Sequence, residues 1–104
     1  FLISIKFLFF LLLFRMGYPK ISVLITVFNH ENYIKSSIES ILSQDYKNFE
    51  IVVVDDGSTD SSKKIINKFK DKRIKKIFFK KNKGRTKCLN YGLKKFFSTK
   101  KILF

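Results

Sequence analysis

The chain has 104 residues, 45% of them hydrophobic, which suits one packed domain or part of a larger one and excludes a disordered tail. Its 22 Lys and Arg outnumber 8 Asp and Glu, and the resulting charge of +14 is uneven, because Asp71 is the only acid beyond Ser62. The single cysteine, Cys88, cannot form an internal disulfide, which argues against a disulfide-framed secreted domain and fits a reducing compartment.

A basic surplus of this size draws phosphates, anionic lipid or nucleic acid. The competing account is a solvated face inflated by compositional bias, which 13 Phe without a Trp also suggest. From Phe1 to Phe14 the chain is apolar except at Ser4 and Lys6. A bilayer-spanning helix needs roughly 20 apolar residues, and no small-residue cleavage site follows to mark a signal peptide. Met16 stands just before the first well-patterned segment. Residues 1–16 are therefore expected to be upstream sequence or a membrane-associated segment, and residues 17–104 the domain.

Ile21–Val27 reads as a first strand, nearly continuous in apolar character, as a strand covered on both faces should be. Phe28–Asn32 is a polar turn. Tyr33, Ile34, Ser37, Ile38, Ile41 and Leu42 then line one face of a helix, with Asn29 or Asn32 as its cap. After a loop over Gln44–Phe49, Glu50–Val54 is a second, β-branched strand that ends in Asp55-Asp56-Gly57. Ser58 or Thr59 is expected to cap a second helix, with Asp60 in its first turn and Ile65, Ile66 and Phe69 on its buried side. Ile74 and Ile77–Phe79 suggest a third strand. A third helix follows from about Arg85, with Leu89, Gly92, Leu93 and Phe96 at helical spacing, and Ile102–Phe104 begins another apolar run.

Strand–helix alternation of this kind predicts an α/β fold, a three-layer α/β/α arrangement around a mostly parallel sheet with right-handed crossovers. The loops after parallel strands share one edge of the sheet, and ligands bind there. The loops at Thr26–Asn29 and Asp55–Ser58 should therefore be neighbours around a pocket.

From spacing alone, Asp55 and Asp56 either cap the second helix or place one carboxylate on a ligand while the other holds the turn. Lys83-Gly84-Arg85 either meets a diphosphate through Arg85 and the helix N-terminus or is a solvated basic turn. His30 is a candidate base or a solvated loop residue, and Cys88 reads as small core filler. No Cys and His cluster has metal-ligand spacing, and Gly57 stands alone rather than in a glycine-rich phosphate loop.

Ile21–Asn29, Ile38–Gln44, Phe49–Asp60 and the pair Asn82–Arg85 with Leu89–Leu93, in this order and spacing, closely resemble glycosyltransferase family 2. The resemblance covers the chain from about Pro19 to Phe104. It implies the Rossmann-like, nucleotide-binding half of a GT-A-type fold. It also implies that Thr26 and Phe28 border the base and ribose, that Asp56 hydrogen-bonds the base with Asp55 supporting that edge, and that Arg85 lies near the diphosphate. The donor expected is a nucleotide sugar, UDP-linked first among them, and the acceptor a glycan, a lipid or a polysaccharide. The family's metal-binding Asp-x-Asp motif, which holds Mg2+ or Mn2+, and its catalytic base follow the strand begun at Lys101–Phe104, so the chain resembles a truncated donor half, inactive by itself.

Two other readings stand beside this one: a non-catalytic remnant that at most binds nucleotide, and a basic module for membranes or nucleic acid. The lysines lack the aromatic interleaving of base-stacking surfaces, so no specific nucleic acid partner is expected. The expected location is cytoplasmic, with peripheral association at the inner face of the membrane as one option.

Overall fold

Two strands, one buried along its whole length and the other everywhere but at Thr26, form the centre of the molecule. In the computed structural model, which describes residues 20–96 and the backbone of 101–103, β1 spans Ile21–Val27 and β2 Phe49–Asp55. They pair in parallel, with Ile21 opposite Phe49 and Val27 opposite Asp55. The β3 strand (Ile74–Phe78) flanks β2 and β4 (Lys101–Leu103) flanks β1, also in parallel, giving the order β3-β2-β1-β4. The apolar segment over residues 1–16, and Phe104, lie outside the described residues.

The period of two along β1 and β2 sorts their side chains into two cores. Ile21, Val23, Ile25 and Val27 join Phe49, Ile51 and Val53 on one face. There they meet Ile34, Ile38 and Ile41 of α1 (Ile34–Leu42) and Ile66 of α2 (Ser62–Lys68). Leu24, Val52 and Val54 face the other way, against Cys88, Leu89 and Leu93 of α3 (Arg85–Phe96). Helices on both faces make the three expected layers. Gly92 lets α3 lie close, since a Cβ there would stand 2.6 Å from Leu24 Cδ1.

The helix starts differ from the sequence reading. The α1 helix begins after Tyr33, with no side-chain cap, and neither Asn29 nor Asn32 caps it. The α2 helix begins at Ser62, three residues beyond Thr59, so Asp60 precedes the helix and accepts a hydrogen bond from the Ser62 amide at 2.9 Å. Ser58 and Asn29 are instead used to join the two loops, as described below. Local capping lost to tertiary pairing in both places.

The end of the sheet away from those loops is held by charge. Ser22 Oγ donates to Glu50 Oε2 at 2.6 Å across the β1–β2 pair, and Lys20 lies 3.3 Å from Glu50 Oε1. Just before β3, Asp71 accepts from the Arg73 amide, Nε and Nη2 at 2.9, 3.0 and 2.8 Å, while the guanidinium lies 4.4 Å from the centre of the Phe49 ring. The Arg73 side chain, helped by its amide, lowers the Asp71 carboxyl from its ordinary 3.8 to about 2. A carboxylate depressed in the folded state stabilises above its unfolded value and loses that contribution as pH falls through the folded one. The stability gap between the parent chain and Asp71→Asn should therefore be full above about pH 4 and shrink towards pH 2. Urea unfolding across this range checks it, and a gap unchanged from neutral pH to pH 2 would contradict the pairing.

Candidate functional site

At the carboxyl edge of the sheet, the loops after β1 and β2 are laced together by reciprocal bonds. Asn29 has a φ of 52°, a left-handed conformation that asparagine tolerates better than most residues. From there its Oδ1 accepts from the amides of Thr59 (2.8 Å) and Asp60 (3.2 Å), while its own amide donates to Ser58 Oγ (2.9 Å). The His30 amide donates to Ser62 Oγ at 2.9 Å, and Glu31 Oε1 accepts from the Ser61 amide at 2.9 Å. The expected adjacency of these loops is thus built by side chains of each loop bonding to backbone amides of the other.

The adjacent acids divide their work. Asp55 ends β2 on the α1/α2 face and is fully buried; its Oδ2 accepts from the Ser58 amide at 3.0 Å and so fixes the turn. Its Oδ1 has no hydrogen-bond partner among the described residues. Asp56, 4% exposed, lies on the opposite side and reaches into the loop before α3. There Oδ1 accepts from the Lys83 amide at 2.6 Å and Oδ2 from the Gly84 amide at 3.0 Å. An ionised carboxylate bonded this way forms short, strong charge-assisted bonds.

Gly57 completes that joint. Its φ is +74°, and a Cβ would stand 2.7 Å from both Asn82 N and Lys81 C. The chain after β2 therefore passes directly under the Lys81–Asn82 backbone, an approach open only to glycine. Cys88, one turn into α3, packs beneath. Burial, then a hydrogen bond to Asp56, pushes its thiol up to about 12, so it stays protonated, a small core group rather than a nucleophile.

These contacts enclose a cleft of about 330 Å³ lined by Thr26, Val27, Phe28, His30, Asp56, Asn82, Gly84 and Arg85. That size lies at the lower end of small-molecule sites, which run from about 300 to 1,000 Å³. Of the residues singled out from sequence, Thr26, Phe28, Asp56 and Arg85 converge on the cleft, whereas Asp55 stands behind it. Phe28 is 43% exposed at the mouth. His30 and Gly84, which the sequence left between a site role and a solvated loop, also line the cleft, as does Asn82; the sequence did not show that Asp56 would draw residues 82–84 over it. A second cleft, of about 310 Å³, adjoins the first on the α1 side of β1: it shares Thr26, Val27 and His30 and is otherwise lined by Ile25, Tyr33, Ile34 and Ser37, with neither acid in its lining. Among the described residues no group of three or more His, Cys, Asp or Glu could hold a metal ion.

A parallel sheet in the order 3-2-1-4 with a cleft outside its strand ends is the architecture of Rossmann-like ligand-binding domains. The chain belongs to glycosyltransferase family 2, whose model, described as "Glycosyl transferase family 2", matches residues 22–103. An uncharacterized glycosyltransferase of Haemophilus influenzae is 45% identical over 82 residues, which cover 77% of this chain and 33% of that protein. The glycosyltransferase GlyA of Streptococcus pneumoniae is 43% identical over 75 residues, 71% of this chain and 11% of its own length. Among solved structures, S. aureus TarS 1-349 superposes with a TM-score of 0.68 at 38% identity, covering 73% of this chain and 24% of that one. The mannosyltransferase PcManGT of Pyrobaculum calidifontis, solved in complex with GDP-Man and Mn2+, shares the fold at a TM-score of 0.69 and 20% identity, over 88% of this chain and 31% of its own. The chain thus spans a third or less of the length of each of these relatives.

Asp56 and Gly57 act on one loop, and this sets a test. Asp56→Ala removes two charge-assisted bonds and should cost on the order of 1.5–3 kcal/mol; Gly57→Ala forces a strained backbone and should cost about 1–3 kcal/mol. Each releases residues 81–84, so the double variant should be less destabilised than the sum, by more than about 0.5 kcal/mol in urea unfolding. Full additivity would contradict a shared joint.

Proposed function

We propose that residues 17–104 form the donor-nucleotide half of an inverting glycosyltransferase that moves a sugar from a nucleoside diphosphate sugar, with UDP as the nucleotide, to a glycan, lipid or polysaccharide acceptor. The observation that carries this reading is the convergence of Thr26, Phe28, Asp56 and Arg85 on one cleft at the strand ends. Membership of the family supports it.

Each residue has a physical part to play. Phe28 offers an aromatic surface at the mouth against which a base can stack. A carboxylate has about four lone-pair sites; the loop amides take one on each Asp56 oxygen and the Cys88 thiol another, so acceptor capacity remains for a single base N–H. Asp55 acts one step back, by holding the turn that aims Asp56. Thr26 borders the ribose. Arg85 opens α3, where first-turn amides have no intrahelical partner, and its guanidinium suits a diphosphate leaving group.

A divalent cation, as in the GDP-Man complex of PcManGT, would neutralise charge on the leaving diphosphate. The described residues do not fit that role, because no group of three or more His, Cys, Asp or Glu stands among them to hold the ion. We assign the cation, and the base that activates the acceptor, to residues outside those described. Among the described residues no helix is long and apolar enough to cross a membrane. The location we propose is the cytoplasm, with peripheral association at the inner face of the membrane as one option.

Calorimetric titration with UDP tests the reading. The 104-residue chain should bind UDP but transfer no sugar from a UDP-sugar. Asp56→Asn keeps the shape, removes the charge and sets an amide against the loop donors, so affinity should fall at least about tenfold, or 1.4 kcal/mol. Affinity unchanged in a variant with the parent's circular dichroism would overturn the assignment of Asp56, and failure of the parent chain to bind any nucleoside diphosphate would overturn the proposal.

A further inference from the structure

Between Ile74 and Phe96 the chain carries no Asp or Glu, and the structure gathers many of its lysines on the outer flank of α3. Lys87, Tyr91, Lys94 and Lys95 are exposed and follow one another at helical spacings that form a single stripe. The stripe is joined to the sheet by a run of ring and cation contacts. Lys83 Nζ lies 4.9 Å from the centre of the Phe79 ring. Phe79 meets Tyr91 edge to face with centroids 5.2 Å apart, and Lys95 Nζ lies 5.9 Å from the Tyr91 ring. Tyr91 remains 40% exposed. The acids that reach solvent elsewhere are Glu31, Glu39, Asp45 and Asp60, on α1, just after it, or on the loops that follow β1 and β2, and Asp71, before β3 and paired with Arg73; Asp56 beneath Lys83 accepts from loop amides.

We infer that this flank is a docking surface for anionic phospholipid headgroups. Lysine ammoniums on flexible stems are point charges suited to laterally mobile phosphates, and a half-exposed tyrosine among them matches the polar–apolar boundary where such rings settle. The two rings meet each other edge to face and carry ammoniums over them, instead of offering open faces on which bases could stack. Nucleic acid is therefore the weaker partner. This gives a surface to the peripheral placement proposed above and is independent of the nucleotide reading, because no vesicle contact passes through the cleft.

The test is cosedimentation of the full chain with phosphatidylcholine vesicles, with and without phosphatidylserine. Binding should require phosphatidylserine and weaken as salt rises. The set Lys83→Gln, Lys87→Gln, Lys94→Gln, Lys95→Gln should lose roughly fivefold per charge, on the order of several hundredfold in all. The same net change made at Lys35, Lys64, Lys68 and Lys70 should cost less than about tenfold, and Lys83, Lys87, Lys94 and Lys95 changed to Arg should keep binding. Amine-labelling footprints of the unaltered chain give a second readout that needs no variant: anionic vesicles should protect Lys83, Lys87, Lys94 and Lys95 but not Lys35 or Lys64. Equal losses from the two glutamine sets, equal protection on both sides, or tighter binding to a single-stranded oligonucleotide than to anionic vesicles would overturn the inference.

Discussion

One carboxylate holds the site together. Asp56 leaves the end of β2 and accepts the amides of Lys83 and Gly84, residues that reach it only after α2 and β3 have been laid down. Closing a loop of this length costs entropy, and two charge-assisted bonds in a nearly dry position are the kind of interaction that offsets it. Because the bonded amides immediately precede Arg85, the same contact fixes the start of α3 at the cleft. Gly57 makes the contact sterically possible by leaving room under Lys81 and Asn82. Remove either feature and the cleft loses its third wall.

The first two walls rest on a different device. Parallel pairing in register from Ile21–Phe49 to Val27–Asp55 brings both strands to their ends together. Their loops then fasten through Asn29, Ser58, Ser62 and Glu31. A left-handed asparagine has a backbone cost, met here by the amides its side chain receives. The cleft residues of these loops thus stand on rigid strand ends, with loop amides bonded by neighbouring side chains, and Phe28 and Arg85 are exposed at the rim.

Much of this could be read from residue order. The apolar runs at Ile21–Val27 and Glu50–Val54, the helical spacing of Ile34, Ile38 and Ile41, and the Asp55-Asp56-Gly57 break located β1, α1, β2 and the pocket edge, because burial on both faces and amphipathic spacing are local patterns. The division of labour between the acids was legible only as an alternative: adjacent side chains diverge, but which one turns inward depends on the sheet face. Caps were misplaced for a related reason. Asn29 and Ser58 are good cappers of their own helices, yet each is used by the opposite loop, and that depends on strand register. The role of residues 82–84 was hidden because it depends on a contact 27 or 28 residues away in sequence.

Charge is distributed with the same economy. Acids near the strand ends are bonded to backbone amides, Glu50 and Asp71 hold the far edge with Lys20, Ser22 and Arg73, and the α3 flank is left almost wholly basic. The central claim is that Asp56 and the loop it holds form the nucleotide-recognising wall. Amide NMR of the isotope-labelled chain, titrated with UDP, tests it most directly. The account predicts that the Lys83 and Gly84 amides shift together with those of Thr26 and Phe28; shifts confined to Tyr33 and Ser37 beside the second cleft, with Lys83 and Gly84 unmoved, would contradict it.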